Sequence, residues 1–124
     1  MLIGAGADRA AATEVLMAAK ASPAALNLVG RTDLPTLGGV LAQCRSLVTN
    51  DSGAMHFAAA LGLPVIAMFG PTRERETHPI GNNHAVLTHQ VWCRPCMLKE
   101  CPLTHRCMTV IGVDAVLAAT RARV

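Results

Sequence analysis

The sequence has no tyrosine, two phenylalanines and one tryptophan. A surface that stacks successive bases of a nucleic acid single strand needs aromatic faces, and so few of them exclude that class. An excess of either charge is also lacking: eleven lysines and arginines against eight acids leave +3, the basic residues being scattered apart from a few in the last third. No nucleic-acid partner is expected on this balance, although it is compatible with an anionic ligand such as a nucleotide diphosphate. Long hydrophobic runs are absent as well. The longest, residues 57–69, is interrupted by Gly62 and Pro64 and falls short of the roughly 18–20 residues a membrane span needs. No signal-peptide pattern is visible. A cytoplasmic location is therefore the default expectation, and there the five cysteines are expected mostly reduced.

What is abundant is small and apolar. Hydrophobic residues make up 52% of the 124, drawn largely from alanine, valine and leucine. This length suits a single domain whose core buries roughly two thirds of its unfolded surface. The chain is organised around residues 48–72. Residues 46–49 are a brief β-branched run and 64–69 a fully apolar one, as expected of buried parallel strands. Between them, 54–61 holds strong helix formers closed by Gly62, a C′ glycine, with Pro64 just beyond. Asn50, Asp51, Ser52 and Gly53 therefore lie where a strand ends and a helix begins. The free N–H groups and positive dipole end of such a helix favour an anion. Gly53 admits close approach to the backbone, Ser52 offers a hydroxyl, and Asp51 accepts from sugar or ribose hydroxyls. His56, near the end of the first turn, can point at the same place. Each has a bland alternative: Asp51 as turn former, Ser52 as helix cap, His56 as packed core histidine.

Upstream, a strand is expected at 1–3, then the turn Gly4-Ala5-Gly6-Ala7-Asp8 and a helix over 10–20 with Val15, Leu16 and Ala19 at helical spacing. A strand, Gly-x-Gly and helix invite a dinucleotide reading, but Arg9 stands where the third glycine belongs. Asp8 reads equally as a helix N-terminal aspartate. Ser22-Pro23 breaks the helix, and 25–29 reads as the next strand. Leu34, Leu37, Val40 and Leu41 are spaced for a helix packed on the sheet, with Thr32 or Asp33 as N-cap and Arg31 open as a phosphate ligand. Cys44 is expected inside that helix as an inert core thiol. Gly70-Pro71-Thr72 forms a loop at a strand's carboxyl end, the edge where ligands bind in open α/β sheets. Residues 73–76 read as solvated mixed charge, 79–83 as a turn, and 85–88 as a short last strand. A helix over 111–119 turns Val113, Val116 and Leu117 inward, and Arg121 and Arg123 make a basic tail.

Cys93, Cys96, Cys101 and Cys107 form a C-x2-C-x4-C-x5-C pattern, with His105 as a fifth donor. Thiolates this close can wrap tetrahedral zinc and stabilise a small excursion of chain. The pattern lacks two well-separated CxxC knuckles, so a compact loop of reduced cysteines is preferred to zinc. A thioredoxin-like role is disfavoured because the CxxC does not open a helix after a strand.

The run Asp51-Ser52-Gly53-x-Met55-His56-x-Ala58-Ala59-Ala60-Leu61-Gly62-x-Pro64, followed by Phe69-Gly70-Pro71-Thr72, resembles the signature of glycosyltransferase family 9, the ADP-heptose:lipopolysaccharide heptosyltransferases. Gly30-Arg31-Thr32-x-Leu34 looks like the family segment that lies against the nucleotide base. Asp8 matches the acid of a Gly-Gly-x-x-Asp/Glu turn near the ribose, and the Cys-x-Pro-Cys…Cys-Pro…Cys-Met insert looks typical of a heptosyltransferase II-like branch.

The resemblance implies a Rossmann-like α/β fold with a mostly parallel sheet, the C-terminal donor-binding half of a two-domain GT-B enzyme. Residues 1–124 would be one truncated domain carrying a Cys-rich insert at 93–107. The first strand and the N-terminal half, with its acceptor site and catalytic base, would be missing. The implied reaction is inverting transfer of heptose from ADP-heptose, or a related nucleotide sugar, to the lipopolysaccharide inner core at the inner membrane surface. The implied donor-binding residues are Asp51, Ser52, Gly53, His56, Asp8, Gly30, Arg31 and Thr32. That chemistry needs no metal and no cofactor. The alternatives are a non-catalytic nucleotide-binding or zinc-stabilised interaction module left by truncation and, less consistent with Asp51 to His56, a nucleotide-sugar epimerase.

Overall fold

A computed structural model describes residues 1–20 and 22–124. They form two compact units, Met1–Gly39 and Val40–Val124.

In the first unit a short 3-10 turn, Gly6–Asp8, leads into helix α1 (Arg9–Ala18). The strands expected at 1–3 and 25–29 are reduced to one parallel bridge between Leu2 and Asn27. Leu28 donates its N–H to the Leu2 carbonyl at 2.9 Å, and Gly30 to the Gly4 carbonyl at 2.9 Å. The local geometry explains the reduction. Ala25 closes a turn onto Ser22 at 2.8 Å, which takes up the start of the second segment. Gly30, at φ +69°, turns the chain out of the extended region at its end. On α1 the buried residue is Ala12, while Val15 is exposed, contrary to the face expected from spacing.

Helix α2 (Leu34–Ala42) carries the chain across the division between the units. Its N-cap is Asp33, whose Oδ1 accepts the Thr36 N–H at 2.9 Å. The Thr36 hydroxyl and then its N–H hold the Asp33 carboxyl below the usual carboxylate range. Leu41 is fully buried but Leu34 is exposed. Cys44 lies past the end of this helix rather than within it, and its Sγ–H is directed at the Val40 carbonyl, 3.3 Å away.

The second unit is built on three parallel strands, β1 (Leu47–Asn50), β2 (Val65–Phe69) and β3 (His84–Thr88), in that order. Leu47 pairs with Val65 and Asn50 with Met68, while Val65 pairs with His84 and Phe69 with Thr88. The central strand forms the core: Val65, Ile66, Ala67 and Phe69 are inaccessible to solvent, as a strand covered on both faces should be. Helix α3 (Gly53–Ala60) connects β1 to β2 and buries Met55 and Ala58. Gly62, at φ +76°, ends it in the left-handed conformation its sequence position predicts.

The charged run becomes a one-turn helix, α4 (Glu74–Thr77), and α5 (Arg106–Thr109) and α6 (Val113–Arg121) close the chain. Val113 and Leu117 of α6 are exposed, so the inward face expected there is confined to its half-buried residues, Val116 among them. Arg123 is no free tail: its guanidinium donates to the His84 carbonyl at 3.0 Å, on β3. Among the described residues no helix is long and apolar enough to cross a membrane.

Candidate functional site

Because all three strands run in parallel, Asn50, Phe69 and Thr88 end at the same edge of the sheet. The turn Asp51-Ser52 leaves that edge and enters α3 at Gly53. Ser52 is the N-cap, extended at φ −155° and ψ 164°, and its carbonyl accepts the Met55 N–H at 3.1 Å. Its hydroxyl makes no cap bond. It lies 3.1 Å from the Thr49 hydroxyl, which donates to the Asn50 carbonyl at 3.0 Å. A hydroxyl carries one proton, so Thr49 accepts from Ser52 and the Ser52 proton is turned inward. What this turn offers a ligand is therefore its backbone N–H groups and the Ser52 lone pairs.

Gly53 is exposed, and a Cβ placed there would meet no atom within 4 Å. Space lies open in front of the helix N-terminus, where unpaired N–H groups and the helix dipole attract an anion. His56 is exposed, not packed in the core. Asp51 is half-buried, and one carboxylate oxygen accepts the Thr77 hydroxyl of α4 at 3.2 Å. Asp51, Ser52, Gly53 and His56 are thus gathered on one turn.

Asp8, Gly30, Arg31 and Thr32 belong to the first unit. There Asp8 accepts the Ala5 N–H at 2.8 Å, closing the turn before α1. A Cβ on Gly30 would lie 3.1 Å from the Gly6 Cα and from the Arg9 guanidinium, so the 30–32 loop packs against that same turn. Arg31 is exposed and Thr32 half-buried.

The loop after β2, Gly70-Pro71-Thr72, is held by Arg94, a residue that no sequence pattern singles out. The Arg94 side chain, 3% exposed, donates through Nε to the Gly70 carbonyl at 2.6 Å and through Nη2 to the Thr72 carbonyl at 3.3 Å. The same Nη2 pairs with the Glu74 carboxylate at 2.7 Å. The Glu74 backbone N–H first, and then the Arg94 charge, hold that carboxyl below its ordinary range against the opposing effect of burial. The Met97 N–H adds a bond to the Pro71 carbonyl at 3.0 Å. A Cβ on Gly70 would lie 2.5 Å from the Met108 side chain of α5, which would have to move aside. The Thr72 hydroxyl is buried with no partner among the described residues.

Pro71 and much of the segment 89–107 also line a cavity of about 530 Å³ that includes Cys93, Cys96, Cys101 and Cys107 but not the Asp51 turn. The four thiols are free, with Cys107 buried and Cys101 exposed. Among the described residues no group of three or more His, Cys, Asp or Glu side chains converges as metal ligands.

Residues 1–107 match the model of glycosyltransferase family 9 (heptosyltransferase). A lipooligosaccharide heptosyltransferase 2 of Campylobacter jejuni is 41% identical over 93 residues, 73% of this chain and 29% of that protein. The lipopolysaccharide heptosyltransferase 2 of Escherichia coli is 38% identical over 89 residues, 70% of this chain and 26% of that protein. Among solved structures, E. coli ADP-heptose lipopolysaccharide heptosyltransferase II superposes with a TM-score of 0.83 at 31% identity, covering 98% of this chain and 34% of that one. A family 9 glycosyltransferase of Veillonella parvula, at TM-score 0.75 and 22% identity, shares the fold. The chain thus spans about a third or less of the length of these relatives. The Rossmann-like parallel α/β arrangement expected from the sequence is borne out, and the chain belongs to glycosyltransferase family 9.

Proposed function

We propose that residues 1–124 are one donor-binding domain of an inverting glycosyltransferase that moves heptose from ADP-heptose to the lipopolysaccharide inner core. The observation that carries this reading is the Asp51-Ser52-Gly53 turn at the carboxyl edge of a parallel sheet, with open space before Gly53. The backbone N–H groups of Ser52 and Gly53 receive the diphosphate. Asp51 holds heptose hydroxyls, and His56 stands beside sugar and phosphates.

In the reaction an acceptor hydroxyl attacks the anomeric carbon. The new C–O bond forms as the bond to the diphosphate breaks, and ADP departs from the opposite face with the bonding electron pair. The hydroxyl proton passes to a base in the other half of the enzyme. This domain stabilises the negative charge gathering on the leaving diphosphate, work that preorganised N–H donors do well. No metal is needed for it. The acceptor is held at the inner membrane surface on the cytoplasmic side, with the enzyme associating peripherally.

Calorimetric titration with ADP and ADP-heptose tests the reading. Both should bind, ADP-heptose more tightly, and His56→Ala should weaken both. A folded sample that binds neither overturns it.

A further inference from the structure

Among the described residues, Asp51 is the one side chain of the proposed donor turn that is held from outside its own strand and helix. Its partner is Thr77, the last residue of α4, whose hydroxyl lies 3.2 Å from the Asp51 carboxylate and 3.2 Å from the Arg73 carbonyl. Of the two acceptors the charged one makes the stronger bond, so the carboxylate takes the larger share of the Thr77 proton. The first residue of α4, Glu74, is paired with Arg94, and the same guanidinium clasps the Gly70 and Thr72 carbonyls. A polar chain therefore runs from the Cys-rich segment, through Arg94 and Glu74, along one turn of helix to Thr77 and Asp51. At four residues, α4 is too short to hold itself in place by helix formation. Its two ends are fixed by these contacts instead.

We propose that Thr77 is a positioning residue for Asp51, with Arg94 anchoring the turn that presents it. This rests on the reading of Asp51 as the group that holds the donor sugar. An unanchored carboxylate samples several rotamers and loses orientation toward the sugar hydroxyls, whereas the diphosphate contacts of the Ser52 and Gly53 amides are untouched. The signature is a selective loss: affinity for ADP-heptose falls while affinity for ADP does not.

Titration calorimetry of the wild-type chain, Thr77→Val, Thr77→Ser, Arg94→Lys and Asp51→Ala with both ligands, alongside thermal unfolding, tests this. Thr77→Val should bind ADP-heptose about fivefold more weakly and ADP within about twofold of wild type. Thr77→Ser should restore the sugar-dependent affinity, and Arg94→Lys, which loses the fork, should reproduce part of the loss. In an Asp51→Ala background, Thr77→Val should have no further effect on ADP-heptose affinity. Equal losses for ADP and ADP-heptose, or a loss that persists without Asp51, indicate a merely structural role and overturn the proposal. So does wild-type affinity in Thr77→Val while Asp51→Ala is weakened, an outcome that leaves the donor-site reading standing. A wild-type chain that binds neither ligand overturns both.

Discussion

The central sheet and the Cys-rich segment of the second unit are held by different forces. In β2, Val65, Ile66, Ala67 and Phe69 exclude water completely and the strand is paired on both sides. Residues 93–105 contain no regular element, and Trp92, Met97, Leu98 and Leu103 are exposed. What ties this segment down is polar: Arg94 on two carbonyls and a carboxylate, and the Met97 N–H on a third carbonyl. Apolar burial is non-directional and tolerates approximate partners, whereas a guanidinium reaching backbone carbonyls fixes a loop's position. The proposed donor turn lies on the join between the two. The sheet supplies the edge and the helix N-terminus, and the Cys-rich segment fixes the loop after β2.

Several substitutions break or sharpen this contrast. The largest effect is expected in the sheet, where Phe69→Ala should cost about 3–5 kcal/mol, while Leu103→Ala in the exposed segment should stay within about 0.5 kcal/mol. Urea denaturation of both variants measures the difference.

Next comes Arg94→Met, which leaves two carbonyls and Glu74 without their partner and should cost about 2–3 kcal/mol. Its pH dependence follows from sign. The Glu74 carboxyl is held low in the folded state, so its contribution is present above the ordinary glutamate value of about 4.3 and lost as pH falls through the lowered folded value. Wild type should therefore lose more stability than Arg94→Met between roughly pH 5 and pH 3, read by denaturation at each pH. The residual loss in the variant comes from the Glu74 backbone N–H.

Smaller effects fall on the site itself. Asp51→Ala should weaken ADP-heptose binding about tenfold, near 1.4 kcal/mol, with a melting temperature close to that of wild type. Gly53→Ala separates folding from binding. The open space there accepts a methyl and alanine favours a helix, so stability should rise by about 0.5 kcal/mol while ADP affinity falls a few-fold as the methyl meets the diphosphate. Smallest of all is the effect of a strong zinc chelator. With no group of three or more metal-ligating side chains among the described residues, the melting temperature should be unchanged, whereas a structural zinc site would make it fall.

The β1–α3–β2 passage was readable from sequence because each piece has a local cause. An apolar run, a helix-forming stretch, Gly62 at φ +76° and the following Pro64 all act within a few residues of one another. The paired segments of the first unit are shorter than their sequence suggests. Their composition favours extension, but the Ser22–Ala25 turn and the positive φ of Gly30 shorten the ladder to one bridge. Helical spacing also placed Val15, Leu34, Val113 and Leu117 on inward faces. Periodicity identifies a common face without supplying a neighbour to cover it, and all four are exposed. Arg94, Glu74 and Thr77 had no local signal at all. Their partners lie 20 to 26 residues away, and contacts at that separation follow from topology, not from spacing.

The central claim is that the donor's diphosphate sits on the N-terminus of α3. Amide chemical shifts of the isotope-labelled chain, followed by NMR as ADP is added, locate that contact directly. The account predicts that the largest perturbations fall on Ser52, Gly53 and Ala54 and saturate together. Perturbations confined to residues 89–107 around the cysteine-lined cavity, with the Ser52 to Ala54 amides unmoved, would contradict it.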